Sequence, residues 1–125
     1  MPTSVAGIAV RGRRIFVARR KPGGSLGGLW EFPGGKCELG ESPESALKRE
    51  FLEELGLAIS LGECLGTSEF TKQDVRFELK AYRIEFEGDP PILAEHDEVD
   101  WVDRETLRTL DFAPSDKGLF PFLPF

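Results

Sequence analysis

The segment from Gly34 to Leu57 constrains the fold more than any other part of the chain, and it reads GGKCELGESPESALKREFLEELGL. Ser42 is a favourable N-cap residue, Pro43 suits the first helical position, and Gly56 suits the left-handed residue that ends a helix. The sequence therefore predicts an α-helix over residues 43–55, preceded by an acidic loop and a glycine pair.

Three glutamates of this helix, Glu50, Glu53 and Glu54, are related by i, i+3 and i+4 and share one face. That face borders the apolar stripe containing Leu47 and Phe51, so it lies beside the core. Neighbouring like charges cost about a few tenths of a kcal/mol per pair, and a positive partner is expected to offset them. Because Mg²⁺ binds through carboxylates, waters and substrate phosphates, the pattern indicates metal-dependent phosphate chemistry.

The glycine pair, Gly34 and Gly35, is expected to turn the chain sharply and to approach a ligand closely. A backbone carbonyl there can add an oxygen ligand to the metal. Glu38 and Glu41, in the loop that follows, either contribute to the metal site or only fix the loop. The segment has neither the GxxxxGK[ST] pattern of a P-loop nor the ligand spacing of an EF-hand.

Length and composition favour one globular domain over residues 1–125, with 40% hydrophobic and 30% charged residues. The net charge of −6 argues against duplex nucleic acid as a main partner. Cys37 and Cys64 are expected to be reduced thiols, because two cysteines form no disulfide framework. The apolar run near the N-terminus is too short for a signal peptide or a membrane span. We therefore expect a cytoplasmic protein without a membrane partner.

The remaining pattern predicts a single α+β domain. Strands are predicted at 4–10 and 15–20, which form a hairpin, and at 58–70, 75–88 and 99–102, with a flexible loop over 21–28. Inward-facing residues of the 75–88 strand are expected at Val75, Phe77, Leu79, Ala81, Ile84 and Phe86. Asp103 caps a second short helix. The apolar tail LFPFLPF covers either the protein's own core or a dimer partner, so monomer and homodimer both stay open.

The helix segment also matches a known motif. The pattern is Gly, five residues, Glu, seven residues, then Arg-Glu-hydrophobic-any-Glu-Glu-any-Gly-hydrophobic. It is satisfied by Gly35, Glu41, Arg49, Glu50, Phe51, Glu53, Glu54, Gly56 and Leu57. The chain thus resembles the Nudix box at every fixed position, with Phe51 where an aliphatic residue is more usual. The resemblance implies the Nudix fold, an α/β/α sandwich around a mixed β-sheet, over nearly the whole chain.

Nudix proteins hydrolyse a nucleoside diphosphate linked to another group. The resemblance implies that Arg49 orients the glutamates and that the metals activate a water for in-line attack. The implied catalytic residues are Glu53, Arg49 and Glu50, with Glu53 as first and Glu95 as second choice of general base. The implied ligands of Mg²⁺, or of Mn²⁺ in its place, are the Gly34 carbonyl, Glu50, Glu53, Glu54 and Glu95.

Two further stretches, GLWEFPGGK at 28–36 and APSD at 113–116, resemble the MutT-type branch of the family. That branch hydrolyses nucleoside triphosphates to a monophosphate and pyrophosphate, and it includes enzymes for 8-oxo-dGTP and relatives acting on CTP. The implied substrate contacts are Arg20, Glu31, Phe32, Lys36 and Asp116. Where MutT proper carries an Asn, Asp116 accepts hydrogen bonds but does not donate them when ionised. The base therefore stays open.

Three functions are compatible with these residues. The first is a triphosphate pyrophosphohydrolase that cleans the nucleotide pool, and the second is a hydrolase for CTP, a modified dCTP or a nucleoside diphosphate sugar. The third is a Nudix-fold sensing module, which the intact box disfavours. Trp30 is expected in the core, whereas Phe32 either lines the nucleoside pocket or belongs to the core. His96, the only histidine, is expected to be exposed and to have no catalytic role.

Overall fold

The computed structural model describes all residues from 1 to 125. We number its elements in chain order. They are β1 Thr3–Arg11, β2 Arg14–Arg20, β3 Trp30–Glu31, β4 Gly34–Lys36, α1 Pro43–Leu55, β5 Ser60–Lys72, β6 Val75–Glu85, β7 His96–Val102, α2 Arg104–Thr109, α3 Pro114–Lys117 and the 3₁₀ turn Phe120–Phe122.

Seven strands form one mixed sheet with the order β3-β2-β1-β6-β5, to which β4 is added beside β1 and β7 beside β2. The β1–β6 pair is parallel, with Ser4 opposite Leu79, and the other pairs are antiparallel. Strand β1 is central and almost continuously buried, as expected for a strand covered on both faces.

The two faces of the sheet carry separate apolar cores. On one face, Leu47 and Phe51 of α1 pack against Val5 and Ala9 of β1. On the other face, a second cluster joins Ala6, Ile8, Trp30, Phe32, Leu107, Phe112 and Leu119, which come from the sheet, α2 and the C-terminal segment. The predicted α/β/α sandwich around a mixed sheet is confirmed.

The local signals for the helices are confirmed. The Ser42 hydroxyl accepts the Ser45 N–H at 3.1 Å, and Gly56 ends α1 in the left-handed conformation with φ +67°. Asp103 accepts the Thr106 N–H at 2.8 Å and so caps α2 as predicted. The β1–β2 hairpin also forms, with Val10 opposite Ile15.

Several boundaries differ from the sequence predictions. The 58–70 strand begins later, at Ser60, and continues to Lys72, whereas β6 ends at Glu85 and β7 begins already at His96. Val75 is 44% exposed because it lies where β6 leaves the tight turn from β5. The short helix α3 was not predicted.

Gly34 and Gly35 do not form the expected turn. They belong to β4 and pair with β1, with Val5 opposite Gly35 and Ala6 opposite Gly34. The glycines are needed because of close packing: a Cβ on Gly34 would lie 1.9 Å from the Val5 carbonyl oxygen. A Cβ on Gly35 would lie 2.6 Å from the carboxylate carbon of Glu50. The close approach is therefore to the protein's own strand and helix.

The apolar tail packs onto the protein itself. Leu119 is fully buried, and Phe120, Leu123 and Phe125 lie against the second core cluster. The tail therefore covers the protein's own core, which is one of the two arrangements expected from the sequence. None of the helices combines the length and the apolar character that crossing a bilayer requires.

Candidate active site

One guanidinium connects the acidic residues of the loop before α1 with those of the helix itself. Arg49 donates from Nε and Nη2 to both carboxylate oxygens of Glu41, at 2.7 and 2.9 Å. Its Nη1 donates to Glu50 Oε1 at 2.8 Å and to Glu53 Oε2 at 3.3 Å. Its Nη2 also donates to the Lys36 carbonyl at 3.1 Å. Arg49 thereby joins the acidic loop, the glycine strand and the glutamate face of the helix.

These contacts hold Glu41 in the loop before α1. Hydrogen bonds from Arg49, together with the Glu38 N–H at 3.0 Å, lower the pKa of Glu41 to about 2. The same contacts raise the pKa of Arg49. Glu41 is therefore an ionised support of the loop, whereas the Glu38 carboxylate is 3.7 Å from Arg49 and mostly exposed.

Glu54 has a different environment from the other glutamates of α1. It is 8% exposed, and its Oε2 is buried without a hydrogen-bond partner. Burial raises its pKa to about 9, and the nearby charges of Glu31 and Glu50 contribute. A buried carboxyl with a free oxygen beside other carboxylates is a donor set that fits a hard divalent cation.

The predicted metal ligands lie around one region but do not form a closed cage. Arg49 holds Glu50 and Glu53, and no three acidic, thiol or imidazole side chains converge on a single point. Glu95 is 3.9 Å from Arg20, and its charge also contributes to the raised pKa of Glu54. The five predicted ligands thus come from β4, α1 and the residue before β7.

A cavity of about 250 Å³ opens beside this region. It contains all five predicted substrate contacts: its lining includes Arg20, Glu31, Phe32, Lys36 and Asp116, together with Gly34 and Gly35. A larger groove of about 720 Å³ lies at the other end of β1 and contains none of the predicted site residues. We place the site in the smaller cavity because all five predicted substrate contacts line it, whereas the larger groove has none of them.

Sequence reasoning missed one wall of the cavity. Phe70 and Phe77 stack with their ring centres 5.0 Å apart and their planes 7° from parallel. The Lys36 ammonium lies 5.3 Å from the centre of the Phe77 ring. Ser4 and Lys72 complete the polar part of this wall. The signal available in the sequence was only the alternation of β5 and β6, which does not show that the two rings face a cavity.

Asp116 lies at the base of the cavity on α3. The Phe32 N–H donates to Asp116 Oδ2 at 2.9 Å, and the Ser115 hydroxyl donates to Oδ1 at 3.2 Å. Burial raises the pKa of Asp116 to about 7, and the charge of Glu31 contributes. The Phe32 ring is only 2% exposed and packs 4.9 Å from the ring of Phe112. Phe32 therefore belongs to the core and also lines the cavity.

The prediction that His96 is exposed is wrong. His96 is fully buried, and its Nε2 lies 2.8 Å from Glu31 Oε2. The same Glu31 oxygen is 3.5 Å from Arg20 Nη1. The β2–β7 pairing shifts register between Arg19 and Arg20, which places Arg20 opposite His96. No sequence signal reports this long-range pairing. Trp30, by contrast, is 9% exposed and lies in the core as predicted.

The fold and the carboxylate helix together define the class of the protein. The family model described as the NUDIX domain matches residues 1–123. The chain therefore belongs to the Nudix family, and it is a Nudix hydrolase.

Individual relatives agree with this class. A Mycobacterium tuberculosis protein provisionally named 8-oxo-dGTP diphosphatase 2 is 37% identical over 118 residues, covering 91% of this chain and 82% of that one. The Escherichia coli CTP pyrophosphohydrolase is 34% identical over 113 residues, covering 90% and 83%. The solution structure of the E. coli ORF135 protein matches with a TM-score of 0.83 at 33% identity, covering 98% and 85%.

Proposed function

We propose that this Nudix hydrolase is a Mg²⁺-dependent nucleoside triphosphate pyrophosphohydrolase. It converts a nucleoside triphosphate and water to a monophosphate and pyrophosphate, with an 8-oxo-dGTP-type nucleotide as substrate. One observation carries the proposal: Glu31 lies between the two halves of the site, since it lines the cavity with Asp116 and is 3.5 Å from Arg20, which also lies 3.9 Å from the predicted metal ligand Glu95. A nucleotide lying across Glu31 would have its base near Asp116 and its phosphates near the helix glutamates.

Mg²⁺, or Mn²⁺ in its place, would be held by Glu50, Glu53, Glu54, Glu95 and the Gly34 carbonyl. When bound, the metal supplies charge neutralisation for the phosphates and a water of lowered pKa. The unpartnered Oε2 of Glu54 supports this assignment, because a cation would satisfy a buried oxygen that no protein donor reaches.

The chain's own residues would position and deprotonate the attacking water. Arg49 donates hydrogen bonds to Glu50 and Glu53 and thereby directs both carboxylates to the same side of α1. Glu53 is 61% exposed and is our choice of general base, because an accessible carboxylate on the metal face can accept the proton. Glu95 is 54% exposed and is the second candidate. Arg20 and Lys36 would contact the substrate from the cavity wall.

A second candidate function is the hydrolysis of CTP. Asp116 favours it, since an ionised carboxylate accepts a hydrogen bond from the N4 amino group of cytosine. The E. coli relative named CTP pyrophosphohydrolase supports it as well. An ionised Asp116 also accepts from guanine N–H groups, and a protonated one donates to a guanine oxygen. The relative rates of hydrolysis of CTP and of 8-oxo-dGTP therefore distinguish the two candidate functions.

The test is a panel of nucleotides with Mg²⁺, with both products and rates identified: 8-oxo-dGTP, dGTP, CTP, dCTP, 5-methyl-dCTP and an ADP-sugar. We expect one triphosphate to be cleaved far faster than the others, to monophosphate and pyrophosphate. Glu53→Gln should reduce kcat by about 100-fold or more, while Glu63→Gln, an exposed change on β5, should leave kcat unaltered.

One result would contradict the proposed substrate class, and another would contradict the choice of general base. Cleavage of the ADP-sugar alone would show that the triphosphate assignment is wrong although the box is functional. Nearly full activity of Glu53→Gln would move the general base to Glu95, and the corresponding Glu95→Gln variant would then lose turnover instead.

A further inference from the structure

His96 is a buried polar residue that the proposed chemistry does not use. It is fully buried, and its only hydrogen-bond partner is the Glu31 carboxylate, at 2.8 Å from Nε2. Its Nδ1 is also buried and has no partner. Charged and polar groups are rarely placed in such surroundings without a compensating contact. The hydrogen bond to Glu31 is therefore the contact through which His96 can affect the site.

The partners of the two ring nitrogens define the tautomer of His96. A proton on Nδ1 would be a buried donor without an acceptor, which is costly, whereas an unprotonated Nδ1 leaves only a lone pair unused. The proton of the neutral ring therefore belongs on Nε2. In this tautomer His96 donates a hydrogen bond to Glu31 Oε2.

The same Glu31 oxygen faces Arg20, whose Nη1 is 3.5 Å away. At that distance the Arg20–Glu31 pair is looser than a direct hydrogen bond, and Arg20 is 31% exposed at the cavity wall. Both protein contacts of Glu31 use Oε2, so Oε1 is left for a ligand. Without a donor from His96, the Glu31 carboxylate would be free to close onto the Arg20 guanidinium.

We propose that His96 is a positioning residue that fixes the Glu31 carboxylate by a hydrogen bond and thereby keeps Arg20 available to the nucleotide. The inference rests on the proposed function, because Arg20 and Glu31 act here as substrate contacts. It assigns to a side chain on β7 an effect on substrate binding that is transmitted through Glu31.

A double-mutant cycle in the full chain tests the proposal. His96→Phe keeps an aromatic ring but removes the donor, and it should raise KM for the preferred triphosphate by about 10-fold or more with a smaller change in kcat. His96→Gln, whose amide can donate to Glu31, should recover most of the loss. In a Glu31→Gln background, His96→Phe should change KM less than about twofold, because a neutral glutamine has no charge with which to close onto Arg20.

A packing control separates positioning from loss of stability. Val102→Ala shortens another buried residue of β7 that has no polar contact with Glu31, and it should lower stability without raising KM. The proposal is overturned if His96→Phe raises KM equally in the wild-type and Glu31→Gln backgrounds. It is also overturned if His96→Phe behaves as Val102→Ala does.

A second measurement does not depend on turnover. Nitrogen-15 NMR of the imidazole should show a proton on Nε2 and none on Nδ1, and Glu31→Gln should shift the Nε2 resonance. A proton on Nδ1, or a resonance insensitive to Glu31→Gln, would refute the hydrogen bond. If the wild-type protein cleaves none of the triphosphates, the proposed function fails, while the NMR result still decides the link between His96 and Glu31.

Discussion

Arg49 shows how one residue can hold several like charges together. All of its hydrogen bonds are to acceptors of the site: two to Glu41, one each to Glu50 and Glu53, and one to the Lys36 carbonyl. The planar guanidinium supplies this geometry, which the point charge of a lysine does not. The repulsion expected among the helix glutamates is thus offset partly by a residue of the same helix, before any metal binds.

Asp116 gives a prediction on pH at the scale of one residue. Its pKa is raised from 3.8 to about 7 by burial, so between these values the folded state keeps a proton that the unfolded state releases. Stability should therefore fall as the pH rises through this window, by up to about 1.4 kcal/mol per pH unit, and level off above it. In Asp116→Asn this contribution is absent, and the Asn oxygen can still accept the Phe32 N–H.

The comparison is made by urea unfolding at pH 5 and pH 8. The wild-type protein should lose more stability between the two values than Asp116→Asn does. Asp111→Asn, an exposed change just before α3, should follow the wild type. Identical pH dependence of the Asp116→Asn and wild-type proteins would show that Asp116 is not held neutral by burial.

At the scale of elements, strand β4 leads to a prediction, because a side chain added at its two adjacent glycines would meet different atoms. In Gly35→Ala the new Cβ meets the flexible carboxylate end of Glu50, which can move aside at the expense of its place in the site. In Gly34→Ala it meets the backbone of Val5, which cannot move without disturbing the β1–β4 pairing. We expect Gly35→Ala to lose mainly Mg²⁺ affinity and turnover, and Gly34→Ala to lose about 1–3 kcal/mol of stability.

Metal titrations and unfolding curves of both variants provide the measurement. Gly62→Ala on the edge strand β5 is a milder steric change for comparison, because its Cβ would come 3.3 Å from the Arg83 carbonyl oxygen, farther than the contacts at Gly34 and Gly35. A Gly35→Ala protein with unchanged metal affinity would show that the close approach to Glu50 has no part in metal binding.

The elements also differ in how well the sequence predicts them. Both ends of helix α1 agree with the prediction, because the residues that define them, Ser42, Pro43 and Gly56, lie at the helix ends in the sequence. The Nudix box is equally local, since it lies within residues 35–57. The burial of His96 depends on a register shift between β2 and β7, strands separated by about 75 residues. Local patterns contain no information on such a shift, and that is why the burial of His96 against Glu31 was missed although Arg20 and Glu31 were predicted.

At the scale of the whole molecule, the site is assembled from distant parts of the chain. The glutamate face comes from α1, the Arg20–Glu31–His96 group from β2, β3 and β7, and Asp116 from α3. The mixed sheet brings these parts together because β1 pairs with β2, β4 and β6. The resemblance to the Nudix box and to the MutT-type branch predicted which residues to expect in the site, but the contacts among them depend on the whole fold.

Binding of Mg²⁺ should stabilise the whole molecule, since a ligand that binds only the folded state adds about 2.7 kcal/mol at 100 times its Kd. Glu54→Gln separates this effect from folding itself. The raised pKa of Glu54, about 9, means that the metal-free wild type carries a neutral carboxyl near pH 7, so a neutral glutamine should fold about as stably. Thermal unfolding with EDTA should give similar Tm values for both proteins, and Mg²⁺ should raise only that of the wild type. An equal rise in Glu54→Gln would exclude Glu54 as a ligand, whereas Glu63→Gln should respond to the metal as the wild type does.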